Sequence, residues 1–188
     1  ITCRIEGLEH LPPGGCIIAA QHQSSFETYR LFLDLADPAF VLKKELLHVP
    51  FIGWYIRRIG LVPIDRGGHA TAMRKMLRAA DKALAAGKQL IIFPEGTRTM
   101  PGERRAYKPG VAGLYTYCKA TVIPVALNSG YLWGKTRVLK EPGEIVLRFL
   151  PAVPAGLTRD RFLSELRARI DAEAPSLVPA GKTLQMAE

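Results

Sequence analysis

No stretch of this 188-residue chain reaches the run of about 20 apolar residues that a membrane-spanning helix requires. The nearest, VPFIGWYI at residues 49–56, is far too short. Cysteine is scarce as well: Cys3, Cys16 and Cys118 are odd in number and show no CxxC spacing. Reduced thiols, buried among apolar neighbours in a reducing compartment, are the expected state. There is no internal repeat and no low-complexity tract, so neither a solenoid nor a disordered tail is expected. Nor is there a G-x-S-x-G elbow, and Ser24 and Ser25 are therefore not read as hydrolase nucleophiles.

Acidic residues are the remaining shortfall, 17 against 26 Lys and Arg, for a formal charge of +9. The imbalance is local. Residues 43–82 hold nine Lys/Arg and three Asp/Glu, residues 95–119 hold five and two, and together they account for the whole excess. Such a field suits nucleic acid, an anionic membrane surface or a phosphorylated substrate, and a solvated basic face would read the same way. Within the first stretch, Trp54 and Tyr55 run straight into Arg57 and Arg58, a mixture that suits lipid headgroups as well as an ordinary helix end.

What the chain does have is a 48% hydrophobic composition and a length that fits one domain. Short apolar runs predict strands at Cys16–Ala20, Ala39–Leu42, Leu61–Ile64, Gln89–Phe93, Val122–Leu127 and Glu144–Phe149. Met73, Met76, Leu77, Ala80 and Leu84 recur at helical spacing, predicting a helix over His69–Ala86 that Gly87 ends; a second is expected over Thr158–Ala174. Alternating elements of this kind indicate an α/β fold with a mostly parallel or mixed central sheet flanked by helices, whose functional loops gather at the carboxyl ends of strands.

Two such strand ends carry chemistry. In QHQSSFE, residues 21–27, His22 precedes Glu27 by five places, about 140° around a helix, so the two meet only if His22 sits in the loop before it. Ser24-x-x-Glu27 is also a capping box, which explains the serine and the glutamate without any catalysis. In FPEGTR, residues 93–98, Gly96 permits close backbone approach, Thr97 offers a hydroxyl and Arg98 a planar fork suited to phosphate; a Glu95–Arg98 ion pair closing the loop is the plainer alternative.

Together these stretches resemble the glycerophospholipid acyltransferase family, most closely its 1-acylglycerol-3-phosphate acyltransferases. Four blocks carry the resemblance in family order: QHQSSFE; GLVPIDRG at 60–67; FPEGTR; and VIPVALNSG at 122–130. FVLKKELLHVPFIGW, residues 40–54, and Tyr107-Lys108-Pro109-Gly110 are similar too, and the likeness runs from about Ile5 to Phe149. Two positions depart from the family pattern: Glu27 stands where Asp is usual, placing the carboxylate one methylene further out, and Gln21 stands where Asn is usual.

The resemblance implies a glycerolipid acyltransferase-like fold in a single domain over 1–188, a fragment expected to follow a membrane-anchoring segment. It implies transfer of a fatty acyl group from an acyl thioester to lysophosphatidic acid, making phosphatidic acid, with His22 as general base and Glu27 as its carboxylate. Glu95, Gly96, Thr97 and Arg98 then bind the acceptor's glycerol phosphate, and Lys43, Arg66 and Lys108 add charge. His10, His48 and His69 match no catalytic position. No cofactor and no metal is expected; acyl-CoA or acyl carrier protein serves as donor substrate. The implied partners are lysophosphatidic acid and an anionic membrane surface at the cytoplasmic face of a bacterial inner membrane, not nucleic acid. The alternatives are another glycerol-phosphate or lysolipid acceptor, or a non-catalytic lipid-binding module.

Overall fold

The computed structural model of the chain describes residues 1–43, 62–64, 69–134 and 139–183. Among these residues seven strands form one mixed sheet: β1 (Thr2–Glu6), β2 (Cys16–Ala20), β3 (Pro38–Lys43), β4 (Val62–Ile64), β5 (Gln89–Ile92), β6 (Val122–Leu127) and β7 (Glu144–Phe149), in the order β1-β7-β6-β2-β5-β3-β4. Every neighbouring pair is parallel except β6 and β7, which run antiparallel with Val125 opposite Phe149. Six of the strands stand where the apolar runs predict them. The seventh, β1, lies at an edge and pairs with β7 from Thr2↔Glu144 to Glu6↔Arg148.

Among the described residues the α-helices are α1 (Phe26–Asp34), α2 (His69–Ala85), α3 (Pro109–Cys118), the single turn α4 (Ser129–Leu132) and α5 (Arg159–Glu173). Successive side chains of a strand point to opposite faces, and β2 shows both faces filled. Ile17 and Ala19 pack with Met76 and Ala80 of α2, Val111 and Leu114 of α3, and Phe162 and Leu166 of α5. Cys16, Ile18 and Ala20 pack with Leu31 of α1, Leu132 of α4 and Phe149. All five β2 residues are buried, which is why this strand reads as a continuous apolar run.

On α2, Met76 and Ala80 are buried while Arg74, Lys75, Arg78 and Lys82 are exposed, as the helical spacing predicts. Gly87, at φ +86°, ends the helix in the left-handed conformation, with its amide bonded to the Leu84 carbonyl and that of Lys88 to Ala83. The helix α3 lies against both α2 and α5, and Tyr115 stacks on Phe162 with ring centroids 4.0 Å apart. Cys16 is buried, and burial pushes its thiol up to about 11, an inert group rather than a reactive one. No described helix is long and apolar enough to cross a membrane.

Candidate active site

The loops after β2, β5 and β6 leave the sheet at the same edge, where the carboxyl ends of the parallel strands lie. His22 sits in the loop between β2 and α1, as helix geometry requires. Its Nδ1 lies 2.9 Å from Glu27 Oε1, and Glu27 is wholly buried. The same oxygen accepts hydrogen bonds from the amides of Gln23 at 2.7 Å and Ser24 at 2.6 Å. Backbone amides can only donate, so Oε1 is an acceptor and the Nδ1 facing it carries the proton. The lone pair of the imidazole is thereby left on Nε2, the arrangement a general base needs.

The capping box differs in detail from the sequence expectation. Ser25, not Ser24, occupies the N-cap; the Ser24 hydroxyl accepts from the Phe26 amide at 3.0 Å, and Glu27 reaches back to Ser24. Capping and partnering His22 are thus not alternatives, since one carboxylate oxygen does both.

Two further contacts hold the His22 loop. The ring stacks on Phe93 at a centroid distance of 4.0 Å and an interplanar angle of 15°, and the His22 carbonyl accepts from the Thr99 amide at 2.7 Å. Both partners belong to the loop after β5, so the two motif-bearing stretches are packed against each other. That loop turns at Gly96, whose φ of +69° excludes most side chains and whose amide bonds to the Phe93 carbonyl at 3.0 Å.

Beyond the turn, Glu95, Gly96, Thr97, Arg105, Ala106 and Lys108 line an open cavity of about 350 Å³. Four of the expected acceptor-binding residues, Glu95, Gly96, Thr97 and Lys108, are brought together there. Arg105 was not expected; it sits in a basic stretch with no motif to mark it, and its guanidinium pairs with Glu103 at 2.5 Å. Arg98 is half-buried and lies outside this lining. No described residue pairs with its guanidinium, so the Glu95–Arg98 ion pair is not formed. Lys43 ends β3 in register with Ile64, which sets only its backbone, and Arg66 lies outside the described residues, as do His48, Trp54, Tyr55, Arg57 and Arg58.

Glu95 is 6% exposed, and burial pushes its carboxyl from 4.5 up to about 7. The nearby charge of Glu27 adds to the rise, while its own amide, Arg167 and the His22 backbone oppose it. Its Oε2 is buried without a hydrogen-bond partner. Arg167, the cation that bears on it, stacks over Tyr107 at 4.1 Å.

The fourth block, VIPVALNSG, supplies β6 and the residues after it, and the structure gives it a role that spacing does not reveal. Gln21 Oε1 accepts from the Leu127 amide at 3.1 Å, and Gln23 Oε1 from the Gly130 amide at 3.0 Å. Gly130 is required here: a Cβ would lie 2.9 Å from both Gln23 and Pro101 side-chain atoms. No described group of His, Cys, Asp and Glu side chains has the arrangement of a metal site.

A family model described as Acyltransferase matches residues 2–128. Over 172 residues the chain is 35% identical to a 1-acyl-sn-glycerol-3-phosphate acyltransferase of Pseudomonas aeruginosa, covering 92% of this chain and 67% of that protein. It is 30% identical over 165 residues to the mouse 1-acyl-sn-glycerol-3-phosphate acyltransferase alpha, covering 85% and 58% respectively. The crystal structure of the 1-acyl-sn-glycerophosphate (LPA) acyltransferase PlsC from Thermotoga maritima superposes with a TM-score of 0.78 over 96% of this chain and 73% of that one. At 23% identity, that likeness speaks for the fold.

Proposed function

The chain belongs to the Acyltransferase family, and from that premise we propose that it transfers a fatty acyl group from a thioester to the free hydroxyl of lysophosphatidic acid, making phosphatidic acid. The observation that carries the reading is the His22–Glu27 pair, with Nδ1 bound to a buried carboxylate at 2.9 Å and Nε2 left to act. Relatives named for this acceptor support the choice of substrate.

The chemistry follows from the reactants. A hydroxyl holds its proton too tightly to attack a carbonyl at neutral pH without a base within hydrogen-bond reach. His22 Nε2 takes that proton as the oxygen bonds to the thioester carbon. The carbonyl oxygen becomes anionic, the C–S bond breaks as the carbonyl re-forms, and the imidazolium returns its proton to the departing thiolate. Glu27 stabilises the imidazolium and holds the ring in the useful tautomer, helped by the Phe93 stack. Coenzyme A or acyl carrier protein carries the acyl group, and no cofactor takes part. The acceptor's phosphate is bound in the cavity by Arg105 and Lys108, with Gly96 and Thr97 shaping its wall, and Arg98, which follows Thr97 outside that lining, adds a guanidinium fork. An anionic membrane surface presents the lipid acceptor, and the exposed basic face of α2 suits that contact.

The test is to incubate the purified chain with a radiolabelled acyl thioester and a panel of acceptors. Lysophosphatidic acid should be the best substrate; glycerol 3-phosphate or a lysolipid without a free phosphate labelled faster would correct the acceptor. His22→Ala should abolish turnover, and Glu27→Gln should lower it by about a hundredfold or more. Glu27→Gln with near-normal turnover would reduce the glutamate to a helix cap.

A further inference from the structure

His22 and the phosphate-facing residues leave one contact at the centre of the site unused. Glu27 has two oxygens. The first serves His22 and two amides; the second, Oε2, accepts a single hydrogen bond, from Ser129 Oγ at 2.8 Å. Ser129 lies 102 residues further along the chain and is, like Glu27, wholly buried.

We propose that Ser129 is a positioning residue for acyl transfer, holding Glu27 so that its other oxygen stays directed at His22. The proposal rests on His22 being the base. Glutamate has one more rotatable bond than the aspartate usual in the family, and each added torsion is a way for the carboxylate to turn off the line to Nδ1. A buried carboxylate oxygen that has lost its donor is also costly, and turning towards some other donor is how the side chain would relieve that cost. The Ser129 hydroxyl removes both freedoms.

Ser129 is itself fixed from the sheet. The preceding Asn128 bridges to β7, accepting from the Val146 amide at 2.8 Å and donating to the Glu144 carbonyl at 3.3 Å. On the other side, the Gly130 amide is bonded to Gln23, and the Ser129 carbonyl accepts from the Trp133 amide at 2.7 Å. The orientation of the dyad is thereby set by the β6–β7 strand pair as well as by its own loop.

The experiment is a double-mutant cycle on the purified chain with an acyl thioester and lysophosphatidic acid. Ser129→Ala should lower kcat about tenfold with the acceptor KM unchanged, the size of effect expected from losing one hydrogen bond to a charged group. In the Glu27→Gln background the same change should cost nothing further, because Ser129 acts only through that carboxylate. Melting temperatures of all four proteins separate this from unfolding; if Ser129→Ala melts early, Ser129→Cys, which keeps the shape and donates weakly, replaces it in the same cycle. Wild-type kcat in the serine variant, or an equal loss with and without Glu27, overturns the proposal. His22→Ala fixes where a failure lies. If it is inactive while Ser129→Ala is normal, only the positioning role falls; if it still turns over, the base assignment falls and the positioning role with it.

Discussion

Replacing Glu95 by glutamine removes one titrating proton from a buried position in the cavity wall, and the consequence can be worked from that position. Burial raises this carboxyl from 4.5 to about 7, and nothing bonds to its Oε2. The folded protein therefore holds the proton more tightly than the unfolded chain, the reverse of an ion-paired carboxylate. The stability so contributed is complete below about 4.5 and is lost as pH rises through 7. With 1.36 kcal/mol for each tenfold change in proton affinity, the loss between pH 5 and pH 8 comes to about 2–3 kcal/mol. Glu95→Gln keeps the shape and cannot lose a proton. Urea unfolding of both proteins at pH 5, 6, 7 and 8 isolates the effect, because every other titrating group is common to the two and cancels. The variant should gain about 2–3 kcal/mol on the wild type across that range. Parallel stability curves would mean that Glu95 titrates normally, and the claim that its site is dry enough to favour the neutral acid would fail.

Arg98→Lys keeps the charge but loses the planar fork, so kcat/KM for a phosphorylated acceptor should fall by roughly 1.5–3 kcal/mol, and an acceptor without phosphate should be spared; equal losses would make Arg98 structural. Gly130→Ala drives a Cβ to 2.9 Å from Gln23 and Pro101 and should destabilise the chain by about 1–3 kcal/mol in thermal or urea unfolding while loosening the His22 loop. Vesicles containing anionic lipid should sediment the chain more strongly than neutral ones, with added salt weakening the difference; equal binding at low salt would count against a membrane-facing basic surface.

The strand positions were legible because β2, β5 and β6 are buried on both faces and so appear as unbroken apolar runs between loops. The amphipathic α2 was legible for the converse reason, one face wet and one dry. The helix α3 was not: it lies between α2 and α5 with Val111, Ala112, Leu114 and Tyr115 buried, and a helix covered on several sides shows no polar stripe to mark its period. The strand β1 escaped too, because its pairing partner β7 lies some 140 residues away and its own residues alternate only weakly.

The site divides in the same way. Residue types and short spacings determined by themselves that His22 precedes a helix carrying Glu27, that Gly96 allows a tight turn, and that four blocks stand in the order of one family. Those are properties of neighbouring residues, and local geometry suffices for them. That Phe93 stacks on the His22 ring and that Ser129 grips the second oxygen of Glu27 were decided only when the sheet brought β2, β5 and β6 side by side. Contacts between residues about 70 to 100 positions apart depend on strand order, and no periodicity within a segment contains that order.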